Sequence, residues 1–190
     1  MTAQPNASLP PPTYSTAYRR AATATGLIGA FTLVLSSTVV NVAIPDVMGT
    51  FGVGQETAQF LSTAYITTMT ASQLLAAWFI AVFGRRLSFS GLLTVFMVAG
   101  VICAVAPTIE VLIAGRVLQG FCSGVIQPLV MTTIVSLFPQ EKRGAAIGLY
   151  IGGLSLALGF GPVVGGITID TLGWRWIFVV PLPMVCLALL

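Results

Sequence analysis

The chain is a succession of apolar stretches, each long enough to cross a bilayer, separated by short charged connections. A hydrocarbon core of about 30 Å takes ~20 residues of helix. Six such runs follow one another, at residues 21–44, 58–83, 87–106, 111–137, 144–169 and 172–190. Hydrophobic residues make up 56% of the chain and charged ones 7%, against roughly 25% charge in a soluble domain. Backbone polar groups in lipid must be satisfied within the segment, so the expected fold class is all-α and integral to the membrane.

The charges fix an expected orientation. Arg19, Arg20, Arg85, Arg86, Lys142 and Arg143 fall on one side when alternate connections are taken together, and Arg175 alone falls on the other. The positive-inside rule then places the N-terminus in the cytoplasm of a multi-pass protein of the cell membrane, plasma or bacterial inner. Residues 1–20 are polar, carry four of the eleven prolines and read as a disordered cytoplasmic arm. Residues 21–190 form the bundle. Its last apolar run after Arg175 has fifteen residues, about 22 Å of helix, and stops without a polar flank. The expectation is a helix starting near Leu172 in a chain that is one part of something longer.

Several function classes are excluded. Net charge is only +3 and the basic residues are scattered, so no basic stripe for nucleic acid exists. There is no histidine, and Cys103, Cys122 and Cys186 lie in apolar runs without CxxC spacing, so no metal site and no cofactor is implied. A GxxxxGK phosphate loop is missing, and the Gly159-x-Gly161 pair has no strand before it. With no buried acid and base set for catalysis, the chain is not read as an enzyme.

Polar residues inside spans are costly and by default mark a pathway. On the fourth span Arg116, Gln119, Ser123 and Gln127 share one face; on the second Gln59, Thr63, Thr70 and Gln73 do so, with Thr67 at the edge. Ser37 and Asn41 stand one turn apart on the first. Three polar walls predict a shared aqueous cavity with Asn41, Gln73, Arg116, Gln119 and Gln127 as its substrate and coupling residues. On the fifth span Gly148, Gly152, Ser155, Gly159, Pro162 and Gly166 lie within roughly 40° of one meridian, a groove for close helix packing. Pro128 and Pro162 are expected to kink their helices.

Four segments resemble, in order, the N-terminal half of a major facilitator superfamily transporter, and among these the 14-span drug:proton antiporter group. The run from Leu35 through Asn41 to Pro45 resembles the first-helix motif L-D-x-T-x-x-N-V-A-x-P, and Arg116-Val117-Leu118-Gln119-Gly120 the fourth-helix R-x-x-Q-G. Gly161-Pro162-Val163-Val164-Gly165-Gly166 matches the antiporter motif G-P-x-x-G-G, and Gly173 to Phe178 resembles the W-R-W-x-F entry to the sixth helix. Two departures stand out. Ser36 occupies the place of the motif's aspartate. In the cytoplasmic loop only Gly84-Arg85-Arg86 keeps the pattern G-x-L-x-D-R-x-G-R-R.

The resemblance implies a six-helix N-terminal bundle with a 3+3 inverted repeat, and multidrug efflux of small amphipathic or drug-like molecules by proton-coupled alternating access. Its partners are then the small-molecule substrate, protons, the lipid bilayer and a C-terminal helix bundle that this sequence does not include. No Asp or Glu lies within the six runs, so the coupling ion is left open by the residues themselves. The alternative reading is a non-transporting half or assembly subunit of a membrane complex.

Overall fold

The computed structural model describes residues 15–189. Helix α1 (Thr16–Val39) starts at Ser15, whose Oγ accepts the Tyr18 N–H at 3.2 Å. That cap extends the helix over Thr16–Arg20, where the sequence predicts part of the arm; the rest of the arm, 1–14, lies outside the described residues. Pro45 lacks an N–H and its ring crowds the carbonyl four residues back, at Asn41. The chain tightens there into a 3-10 turn, Val40–Ala43, before α2 (Ile44–Phe51), so the first rod runs 35 residues from Ala17 to Phe51. Gly52, at φ 64°, supplies the left-handed residue that ends it.

Helix α3 (Gln55–Ser72) leads through a 3-10 turn, Gln73–Leu75, into α4 (Ala76–Ala104), a helical path of 50 residues. It breaks at Gly84, where φ 73° and ψ 168° lie in a region open in practice to glycine alone. Contacts with α5 (Ile109–Leu137) show that the chain reverses at this break. Leu61, Tyr65 and Ser72 of α3 meet Arg116, Ser123 and Phe121, a parallel course, whereas Arg85 meets Ser136 and Cys103 meets Leu112, an antiparallel one. The loop predicted around Gly84, Arg85 and Arg86 is thus a one-residue break, with both arginines already in the next helix.

Helix α6 (Gln140–Leu172) follows, and Gly173 stops it at φ 93°. The sixth segment, expected as one helix from Leu172, instead opens as a 3-10 turn, Trp174–Phe178, before α7 (Leu182–Leu189). Two side chains secure that entry. Trp174 Nε1 donates to Thr50 Oγ1 at 3.0 Å, and Arg175 Nη1 donates to the Ala104 and Ala106 carbonyls at 3.1 and 2.9 Å, capping the exposed end of α4. Among the described residues four helical stretches are long and apolar enough to cross a membrane, and the 50-residue one is folded back on itself at Gly84. No strand occurs among the described residues.

Glycine determines how closely the rods approach. A Cβ on Gly120 or Gly124 would collide with the Tyr65 and Met69 carbonyls of α3, and one on Gly115 with Cys103 Sγ of α4. Lipid tails solvate leucine as well as a neighbouring helix does, so such close backbone contact is what favours association. Helix α6 uses the same device on α1: a Cβ at Gly161 would strike the Thr38 side chain, and one at Gly165 would lie 3.1 Å from the Val39 carbonyl.

Candidate functional site

Arg116 is the largest fully buried side chain of the bundle. It sits on α5 seven residues after its start, about 10 Å into the span. Its Nε donates to the Leu61 carbonyl at 3.2 Å, and its Nη1 to Gln119 Oε1 at 2.8 Å. Nη1 also faces Ser36 from farther off, at 3.4 Å from the carbonyl and 3.5 Å from Oγ. The guanidinium carbon lies 4.1 Å above the Tyr65 ring centroid. The arginine thus ties α1 and α3 to α5 through neutral acceptors and one aromatic face.

Tyr65 continues this network. Its hydroxyl donates to the Leu33 carbonyl at 2.9 Å and lies 2.6 Å from Ser123 Oγ, which is also 2.8 Å from the Gln119 carbonyl. Ser72 Oγ donates to the Phe121 carbonyl at 3.0 Å two turns further along α3. Polar side chains in lipid-embedded cores are satisfied in this way, by backbone groups of the neighbouring helix.

The predicted single cavity is not what the structure builds. Arg116 and Gln119 are 0% and 1% exposed and Ser123 is buried, so the polar wall of the fourth span is internal to the packed α1–α3–α5 junction. The wall of the second span looks the other way. Gln59, Thr63, Thr67, Thr70 and Gln73 are all exposed, because Ala58, Leu61, Tyr65 and Ser72 occupy the side of α3 against α5. Asn41 is exposed and its Oδ1 accepts from Ser62 Oγ at 2.6 Å, joining the 3-10 turn of the first rod to α3. Gln127 is half-buried, its Nε2 3.6 Å from Met69 Sδ, and its carbonyl accepts the Tyr150 hydroxyl at 3.4 Å.

The glycine groove holds together as one face but is open. Gly148, Gly152 and Gly159 are exposed and Gly166 half-buried, and a Cβ on any of these would meet nothing within 4 Å. Pro162 lies on the same open side. Gly161 and Gly165 face α1 instead, together with Gly153, whose Cβ would lie 2.8 Å from a Leu27 methyl. The packing residues expected on this helix therefore belong to two faces: the groove from Gly148 to Gly166 is open, and the motif glycines Gly161 and Gly165 are packed. Sequence reasoning passed over the packing role of Gly120 and Gly124, where backbone meets backbone, although their GxxxG spacing in an apolar run is a recognisable signal. It passed over Tyr65 as well, whose role depends on residues more than thirty positions away.

Residues 26–190 match the Major Facilitator Superfamily. Over 152 residues the chain is 36% identical to the uncharacterized MFS-type transporter YhcA of Bacillus subtilis, covering 80% of this chain and 29% of that one. It is 35% identical over 167 residues to multidrug resistance protein Stp of Mycobacterium tuberculosis, covering 87% and 31%. Lincomycin resistance protein LmrB of Listeria monocytogenes is 35% identical over 179 residues, with 87% and 34% covered. The chain thus spans about a third of the length of these relatives.

Among solved structures the fold is similar to that of the proton:xylose symporter XylE bound to 6-bromo-6-deoxy-D-glucose. The TM-score is 0.78 at 17% identity, over 93% of this chain and 44% of that one. A peptide transporter, POT, in complex with sulfate gives 0.78 and 17% over 88% and 36%. The chain is an integral membrane protein of the Major Facilitator Superfamily, and it forms the N-terminal helical bundle of that fold.

Proposed function

We propose that the chain is the N-terminal bundle of a secondary transporter that exports small amphipathic molecules by alternating access, with proton coupling. The observation that carries this reading is the surface the bundle leaves open. The exposed Gln59, Thr63, Thr67, Thr70 and Gln73 form a polar stripe on an otherwise apolar rod, and Asn41 is exposed beside Ser62 of the same helix. A polar stripe facing lipid is unfavourable, whereas one facing a water-filled pathway between two bundles is not. The open glycine face of α6 is then the sliding surface against a C-terminal bundle, since glycines there leave room for close approach. Relatives bearing the names multidrug resistance and lincomycin resistance protein support export of drug-like solutes.

In this reading Arg116 positions the helices and does not contact the exported solute. It holds α1, α3 and α5 in one block, so that the stripe moves as a rigid wall. The N-terminus is cytoplasmic, supported by the clustering of Tyr18, Arg85 and Arg86 around one cleft with Leu137. All five acidic residues are exposed, so the coupling carboxylate is supplied from outside this bundle's interior. The test is dye efflux from cells and reconstituted vesicles carrying the complete transporter. Arg116→Ala should abolish efflux while the protein still inserts in the membrane; retained efflux removes Arg116 from the mechanism. Gln73→Leu and Thr70→Val should lower efflux of some substrates more than others, and uniform wild-type transport would remove the stripe from the pathway.

A further inference from the structure

The junction around Arg116 is rich in donors and poor in acceptors. Arginine stays protonated in proteins and offers five N–H groups. Nε and Nη1 find the Leu61 carbonyl, Gln119 Oε1 and, loosely, Ser36, but Nη2 is buried without any partner. Gln119 spends its oxygen on Arg116, and its amide nitrogen can only donate. No carboxylate balances the charge, because Asp46, Glu56, Glu110, Glu141 and Asp170 are all exposed. A single buried cation without a counter-charge is among the least favourable arrangements a low-dielectric interior can hold.

The slack is on the Ser36 side. Charge-assisted N–H···O bonds run about 2.7–2.9 Å, which the Gln119 contact meets and the 3.4 and 3.5 Å approaches to Ser36 do not. A small acceptor that reaches Nη2 beside the loosely held Nη1 would complete the guanidinium. We propose that the Ser36–Arg116–Gln119 cluster binds a monatomic anion, a halide such as chloride, which supplies the counter-charge that the chain does not. Size limits the ligand. Ser36, Arg116 and Gln119 are each less than 5% exposed, so no organic solute fits among them.

The experiment is a thermal unfolding series on the detergent-extracted protein in which gluconate is replaced by chloride or bromide at constant ionic strength. At a halide concentration ten times the dissociation constant, the apparent melting temperature should rise by about 3–6 °C. Ser36→Asp places a carboxylate one bond further toward the guanidinium and should remove the halide dependence. Gln119→Leu keeps the arginine but loses a donor, and should move the halide midpoint up by about tenfold. A wild-type melting temperature indifferent to halide overturns the proposal, as does a Ser36→Asp or Gln119→Leu protein with wild-type halide dependence. No solute is transported in this measurement, so its outcome is separate from that of the efflux assay.

Discussion

Gly124→Ala tests the packing argument directly. The added methyl would run into the Met69 carbonyl and Ser72 Oγ, neither of which is the flexible end of a long side chain. Helices α3 and α5 must part by about 1 Å, a distortion of the kind that costs roughly 1–3 kcal/mol in a well-packed interior. The Ser72 hydroxyl also loses its 3.0 Å bond to the Phe121 carbonyl, worth about 0.6 kcal/mol between membrane helices. Alanine returns up to about 1 kcal/mol of helix propensity. The net is a loss of about 1–2.5 kcal/mol, or a fall in melting temperature of roughly 2–10 °C for a bundle of this size.

The chain carries its own reporter. Cys103 and Cys122 are buried and Cys186 is exposed, so a fluorogenic maleimide gives a constant background and a rise on unfolding. Gly148→Ala is the control, since its methyl meets nothing within 4 Å. Its melting temperature should equal or exceed that of the wild type, while efflux by the complete transporter falls. A Gly124→Ala protein as stable as wild type would refute the close-packing assignment. Equal destabilisation by Gly148→Ala would refute the division of the glycines into a packed and an open set.

Gly84→Ala puts a Cβ on a backbone at φ 73° and ψ 168° and should cost about 1–3 kcal/mol, read as a lower melting temperature with Gly91→Ala, which has open space and helical φ, as the neutral comparison. Tyr65→Phe removes the hydroxyl that meets the Leu33 carbonyl and Ser123 and should lower stability by about 1 kcal/mol by the same thiol assay. Arg175→Gln frees the Ala104 and Ala106 carbonyls, and amide exchange should accelerate at 104–106 and leave the middle of α5 unchanged.

Much of this protein is written in its local pattern. Six apolar runs, their charged joints and the four motif-like segments determine a helical membrane bundle, because the length of a span and the cost of a charge in lipid are read from consecutive residues. Gly84 falls in such a joint, whereas the break at Gly173 lies inside the last predicted run and came only from the structure. Periodicity also placed Arg116, Gln119 and Ser123 on one face of a helix, but a face has no direction until its neighbours are in place. Tertiary structure decided that this face turns inward against Tyr65 and Leu61, while the equally polar stripe from Gln59 to Gln73 turns outward. It likewise divided the glycines of α6 between α1 and open space. The physical reason is common to both. Helix periodicity fixes which residues share a side, whereas which side is buried depends on the closest approach of another backbone, set here by Gly120 and Gly124 and by residues far away in the chain.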